Sequence, residues 1–353
     1  MNNRIFEKPI LYCVHGSHDI GLGHIMRARS LCTVLRRNTI QPLVLTSSPD
    51  YVVSEIASWG VQVENVPDGD IYQKALSYRD RYNARIVVQD VRDTDEATVR
   101  ALADEDFYLI HFDDLGSGRD YADVLIDANL SEKQISSISG QIRMFGKQYM
   151  VMDPVFSEIH DRDKSVAPVV RNLVISLGGS DPRNLTPWIV ELLGSHLQKF
   201  QIKVVVGSGV KDAERVKQLC SKFHYEYIYD TDSMGELLYE ADIAIISGGV
   251  TLYEAVASGT PSLVLPQVEH QYDIGREFER LGFCFCPFSY NEKDAWKFLQ
   301  AFSRVIKNKE LREAMSLRGK EIIDAKGVFR IANLIGDIVR NQCGETDYVT
   351  LRQ

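Results

Sequence analysis

The stretch Ile246–Pro266, ISGGVTLYEAVASGTPSLVLP, decides how this chain is read, because it compresses a strand end, a glycine turn, a helix and a second strand. Ala241–Ile246 is a short apolar run of strand type. Gly248 and Gly249 let the backbone turn sharply, and Thr251 begins a helix that Gly259 stops. Ser262–Leu265 is the next buried strand. The unit is β-turn-α-β, with helix amides at the carboxyl end of a strand, where phosphates and sugars bind. Thr251 and Glu254 also fit a capping box, in which two side chains satisfy the helix's own amides, so ligand contact and capping both stay open for this pair.

The same alternation extends in both directions. Strand-like runs at Ile10–Val14, Pro42–Leu45, Val61–Val66, Arg85–Gln89, Phe107–Phe112, Val124–Asp127 and Tyr149–Met152 are interleaved with helical periods at His24–Arg37, Tyr51–Trp59 and Thr94–Ala103. After the polar segment Ser157–Ala167, read as a linker, the alternation restarts with Leu173–Leu177, Pro182–Gln198, Ile202–Val206 and Asp212–Phe223. This predicts an α/β protein of two Rossmann-like, doubly wound domains, residues 1–160 and 168–342, with a tail at 343–353. Each domain offers the carboxyl ends of its strands to a central cleft, where the ligand is expected.

Composition narrows the class. With 353 residues, 44% of them hydrophobic, the chain is long enough for two cores. A formal charge of −9 argues against general nucleic-acid binding and leaves small anions as partners. The six cysteines form no CxxC pair and read as reduced core thiols. No run reaches about 18 apolar residues, so stable membrane insertion is not expected and a cytoplasmic location is.

Three further constellations carry chemistry. The first strand runs into HGSHDIGLGH, where Gly21 and Gly23 place His24 at a helix N-terminus. The helix dipole there disfavours imidazolium, so His24 is expected to be neutral near pH 7 and able to accept a proton; a bond to a loop carbonyl is the alternative. Arg27, one turn on, either faces a phosphate or is solvated. Asp90 ends the Arg85–Gln89 strand and is placed to polarise His24 or orient substrate hydroxyls. In LVISLGGSDPRN, Gly178, Gly179 and Ser180 follow a strand, and Asp181-Pro182 signals a helix start. This turn and Gly248–Thr251 are expected to aim backbone amides at one diphosphate, which stabilises a leaving nucleotide without a metal. His270 and Gln271 open the next helix, as sugar or pyrophosphate contacts or as caps. Asp113 and Asp114 close a strand and either touch substrate or brace a loop. D-x-D patterns recur too often in this acidic chain to single out a metal site, so no metal or other cofactor is expected.

The ordered motifs GLGHIMRARSLC, HFDDLGSG, ISLGGSDPRN and ADIAIISGGVTLYEAVASGTPSLVLPQVEHQ resemble the PseG/SpsG group of UDP-sugar hydrolases, relatives of the glycosyltransferase MurG. The resemblance covers roughly Ile10 to Phe285. It implies a GT-B fold, nucleotide binding mainly by the C-terminal domain, and a C-terminal helical stretch that crosses back to the first domain. It implies further that His24 activates water to release the nucleotide and a free amino-deoxy sugar, in pseudaminic acid (nonulosonic acid) or surface polysaccharide synthesis. UDP is the implied nucleotide, with CMP- or CDP-linked sugars as alternatives. The family's tyrosine two residues beyond the strand-end aspartate is Arg92 here, and its Asn-Gln pair is His270-Gln271, which leaves the sugar open. The competing readings are a GT-B glycosyltransferase, with an acceptor hydroxyl in place of water, and a non-catalytic nucleotide-sugar-binding protein.

Overall fold

The computed structural model describes residues 9–17, 22–67, 70–129, 139–194 and 199–342. The chain divides into two compact units, residues 1–154 with 326–353, and residues 155–325.

Unit 1 is built on a parallel sheet of β1 (Ile10–Val14), β2 (Pro42–Thr46), β3 (Gln62–Asn65), β4 (Ile86–Asp90), β5 (Tyr108–Phe112), β6 (Val124–Asp127) and β7 (Ile142–Phe145). The strand order is β3-β2-β1-β4-β5-β6-β7. Its helices are α1 (Gly23–Arg37), α2 (Asp50–Ser58), α3 (Ile71–Tyr82) and α4 (Glu96–Asp104), joined by the chain's last helix. The central strands read as continuous apolar runs because helices cover both faces. One face packs Tyr12, Val14, Val88 and Phe112 under α1, and the other packs Leu11, Cys13, Val87 and Leu109 under α3 and α4.

Unit 2 contains α5 (Val155–His160), β8 (Asn172–Ser176), α6 (Leu185–Leu193), β9 (Gln201–Val206), α7 (Ala213–Phe223), β10 (Glu226–Tyr229) and α8 (Met234–Glu240). It continues with β11 (Ile243–Ile246), α9 (Val250–Ala257), β12 (Ser262–Val264), α10 (Glu269–Leu281), β13 (Cys284–Phe285), α11 (Ala295–Lys307) and α12 (Lys309–Ile322). Its parallel sheet runs β10-β9-β8-β11-β12-β13. In both sheets the chain winds outward in one direction, returns to the middle and winds the other way. The reversal lies between β1 and β4 in unit 1 and between β8 and β11 in unit 2, where doubly wound sheets open a crevice.

The expected domain boundaries shift. Ser157–Ala167 is no free linker, because Phe156 and Ile159 of α5 are buried and the irregular segment that follows is strapped down. Lys164 Nζ donates to the carbonyls of Leu238, Tyr239 and Ala241 and to Thr260 Oγ1 at 2.7–3.0 Å, and Arg312 Nη2 donates to Ala167 O at 2.7 Å. The first crossing therefore falls at residue 154. At the other end, α13 (Gly327–Gln342) belongs to unit 1. Its Val328, Ile331, Ala332, Ile335 and Ile338 join the core that holds Leu31 and Leu35 of α1, each buried isoleucine stabilising by about 2 kcal/mol. The expected tail, 343–353, lies outside the described residues.

Two elements escape the sequence pattern. Helix α3 buries only Ala75 and Tyr78, too thin a stripe to register as a period. The last strand is Ile142–Phe145, half-buried at the sheet edge, and the expected strand at Tyr149–Met152 is irregular because a 3-10 turn at Lys147–Tyr149 intervenes. Among the described residues no helix is long and apolar enough to cross a membrane.

The return of α13 depends on Gly327, where a Cβ would lie inside van der Waals contact of the Met150 carbonyl. Gly327→Ala is expected to destabilise unit 1 by about 1–3 kcal/mol. Hydrogen exchange would show it as lost protection in α13 and α1 with unit 2 unchanged; unaltered protection in α13 would contradict this packing.

Candidate functional site

The unit 1 site begins at its switch point. Val14, the last residue of β1, pairs with Asp90, the last residue of β4. The loop after β1 leads to α1, whose N-cap is Leu22 and which has no side-chain cap and no acidic residue in its first turn. His24 is the second residue of that helix. Gly21 lies outside the described residues. Gly23 is exposed, with open space where a Cβ would stand, so close packing does not require a glycine there.

Asp90 has no exposed surface, and four donor contacts converge on its carboxylate. Tyr12 Oη donates to Oδ2 at 2.8 Å and Arg27 Nε to Oδ2 at 2.9 Å. Arg27 Nη2 and His24 Nδ1 both meet Oδ1, the latter at 2.6 Å. Burial by itself would raise the acid's pKa, but the Arg27 charge and the His24 and Arg27 hydrogen bonds outweigh it and hold it at about 2. Burial, reinforced by the Asp90 charge, keeps the Tyr12 phenol protonated well above its ordinary range.

This fixes the histidine's working end. An ionised carboxylate only accepts, so Nδ1 carries a proton toward Asp90 and Nε2 keeps its lone pair, an assignment made from the hydrogen-bond network. Arg27 Nη2 carries two N–H groups, one meeting Asp90 Oδ1 and the other standing 2.9 Å from Nδ1, so Nδ1 lies between a donor and the carboxylate; the shorter 2.6 Å carboxylate contact is the one taken to set the tautomer. The His24 side chain is 31% exposed, so a buried carboxylate backs a solvent-accessible imidazole, the arrangement of a general base.

Arg27 is neither phosphate-facing nor simply solvated. Its guanidinium bridges Asp90 and Asp113, lies 5.0 Å from the Phe112 ring centre and is only 12% exposed. Asp114 braces a loop: its carboxylate accepts from the Thr94 amide and hydroxyl, the Gly116 amide and His111 Nδ1. The sequence reading missed Tyr12, whose one signal was a phenol inside a fully buried strand. Arg92 is exposed, and its carbonyl accepts from Leu115 N at 2.7 Å.

In unit 2 the glycine turns gather around the β8/β11 switch point. Gly178, at φ +91°, lies against Ser247 at the end of β11. Gly179 is exposed and Ser180 half-buried. Gly248 packs on the backbone of Gln271, where a Cβ would collide with the Gln271 carbonyl. Gly249 is the N-cap of α9 and supplies no side-chain cap. Thr251 is the second helical residue, so the capping box that requires it as N-cap does not form, and Glu254 sits one turn deeper. His270 is exposed in the first turn of α10; Gln271 Oε1 accepts from Gln267 N at 2.9 Å.

Asp181 and Pro182 do not open α6. The helix starts at Leu185, because Asp181 and Asn184 take left-handed φ values of +41° and +52° and make a turn in between. Asp181 caps from a distance, accepting from Leu185 N, Thr186 N and Gln267 Nε2. A third glycine turn, Gly207–Gly209, went unread: Gly209 N donates to Gly179 O at 2.9 Å, and Gly207 backs onto Gly179. The GSG that follows the Ile202–Val206 run was the signal.

The depressed pKa of Asp90 has a stability consequence. Its folded pKa lies below the unfolded value near 4, so it contributes about 2 kcal/mol that is fully present above that pH and lost as pH falls toward 2. Asp90→Asn is therefore expected to flatten the acid limb of urea midpoints measured between pH 5 and 2. Parallel acid limbs in variant and wild type would contradict the assignment.

Residues 173–327 match the glycosyltransferase family 28 C-terminal domain. The chain is 25% identical over 337 residues to the spore coat polysaccharide biosynthesis protein SpsG of Bacillus subtilis, covering 93% of this chain and 97% of that one. It is 28% identical over 120 residues to the pseudaminic acid cytidylyltransferase and UDP-2,4-diacetamido-2,4,6-trideoxy-β-L-altropyranose hydrolase of Helicobacter pylori, covering 34% of this chain and 22% of that one. The crystal structure of Acinetobacter baumannii MurG superposes with a TM-score of 0.64 at 13% identity, covering 94% of this chain and 99% of that one. The chain thus has the GT-B fold, two parallel-sheet Rossmann-like units, with the second matching a glycosyltransferase C-terminal domain.

Proposed function

We propose that the chain is a nucleotide-sugar hydrolase: water, deprotonated by His24 Nε2, attacks the anomeric carbon of a UDP-linked amino-deoxy sugar, and the C–O bond to the diphosphate breaks. The free sugar and the nucleotide leave. The observation that carries this reading is the 2.6 Å contact from His24 Nδ1 to a buried, ionised Asp90, which leaves Nε2 as the acceptor on a partly exposed ring. Unit 2 holds the nucleotide in this proposal, with the Gly178–Ser180 and Gly248–Thr251 turns and the uncapped N-terminus of α9 offering amides to the diphosphate. No metal is called for. The names of the Bacillus and Helicobacter relatives support a place in surface polysaccharide or pseudaminic acid synthesis.

A second reading is favoured by the match of residues 173–327 to a glycosyltransferase domain. There, an acceptor hydroxyl takes the place of water at His24.

The test is nucleotide release from a panel of UDP- and CMP/CDP-linked amino sugars, without acceptor or added metal. The hydrolase reading expects release from at least one UDP donor, reduced about a hundredfold or more in His24→Ala. Release that appears only when an acceptor is supplied would replace it with the transferase reading. Release undiminished in His24→Ala would remove His24 as the base.

A further inference from the structure

A base with a guanidinium beside it poses an electrostatic problem. Arg27 Nη2 stands 2.9 Å from His24 Nδ1, and a cation that close opposes protonation of the ring. The carboxylate of Asp90 would by itself only cancel the guanidinium. Charge is counted over the groups that meet here. Asp90 and Arg27 sum to zero, and an imidazolium added to that pair would leave a buried net positive charge.

Asp113 changes the sum. Its carboxylate meets Arg27 Nη1, on the side of the guanidinium away from Asp90. The residue continues the β5–β6 ladder, its amide donating to Ile126 O at 2.9 Å at a left-handed φ of +47°, which fixes where its carboxylate starts. With Asp113 included, the cluster carries −1 when His24 is neutral and 0 when His24 takes a proton.

We infer that Asp113 is a positioning residue of the His24 site: by holding and neutralising Arg27 it leaves Asp90 free to stabilise an imidazolium, and so makes His24 a competent base. This rests on the reading of His24 as the base. The other titratable groups around it are Tyr12 of β1, Arg27 and Cys32 of α1 and Asp90 of β4. Tyr12 and Cys32 stay protonated near neutrality because burial raises both. Asp113, 28% exposed, is the group whose removal changes the charge without opening the core.

The experiment follows the His24 ring nitrogens by long-range proton–nitrogen NMR of the histidine-labelled full chain, assigned with His24→Gln. Asp113→Asn and Asp113→Gly both remove the charge, and glycine accepts the positive φ without strain, so one variant remains if the other misfolds. The Nδ1 and Nε2 shifts of His24 at neutral pH, which report the tautomer that Asp90 selects, are expected to change in both, with Asp113→Glu restoring most of the wild-type pattern. Where a substrate is turned over, kcat/KM falls in the same variants and recovers in Asp113→Glu. Identical ring-nitrogen shifts in wild type and the charge-removing variants would overturn the proposal. Full activity in His24→Ala would instead overturn the base reading, and the NMR measurement distinguishes the two because it needs no turnover.

Discussion

A fully buried, ionised carboxylate is the constraint on which unit 1 depends. Left unpaired, Asp90 would cost several kcal/mol, and the fold meets that cost by bringing donors from two elements to one pair of oxygens. Tyr12 comes from the neighbouring strand, and His24 and Arg27 come from one turn of α1. Those contacts fix where the helix starts relative to the sheet. They also orient the imidazole, so the same interaction stabilises the unit and gives the site its chemistry.

Unit 2 solves a different problem at the same topological position. Its switch point is lined mainly by backbone turns, with the buried Asp181 carboxylate behind them. Gly178, Gly207 and Gly248 are pressed against Ser247, Gly179 and Gln271, and side chains would push these turns apart. Asp181 and Gln267 hold the turns from behind, one carboxylate accepting from the start of α6 and from the loop after β12. The start of α9, which has no side-chain cap, leaves amides that suit an anion.

The parts of this design that are local were legible in the sequence. Strand, glycine and helix follow one another within about 15 residues at Ile10–His24, Leu173–Leu185 and Ile243–Thr251, and both the two doubly wound units and His24 could be read from them. Long-range pairing was not legible. Tyr12 and Asp90 are 78 residues apart, and Arg27 and Asp113 are 86 apart, with no pattern in the chain to announce either. Arg27 was misread for that reason, because an arginine on the first turns of a helix looks solvated until a carboxylate from another strand arrives. Asp181-Pro182 misled in the opposite sense: the local helix signal was present, but two left-handed residues delayed the helix to Leu185. The crossing of α13 to unit 1 was expected from the family resemblance and is found, although its apolar stripe alone does not say which core it completes.

The central claim is a division of labour, with proton transfer assigned to the His24–Asp90 pair of unit 1 and nucleotide binding to the glycine turns of unit 2. Calorimetric titration of UDP into wild type, His24→Ala and Gly248→Ala tests it most directly, since binding is measured without turnover. The account predicts that His24→Ala binds UDP as wild type does, while Gly248→Ala, whose new Cβ must displace the Gln271 backbone, loses at least about tenfold in affinity, or about 1.4 kcal/mol. Loss of UDP binding in His24→Ala, with binding intact in Gly248→Ala, would contradict it.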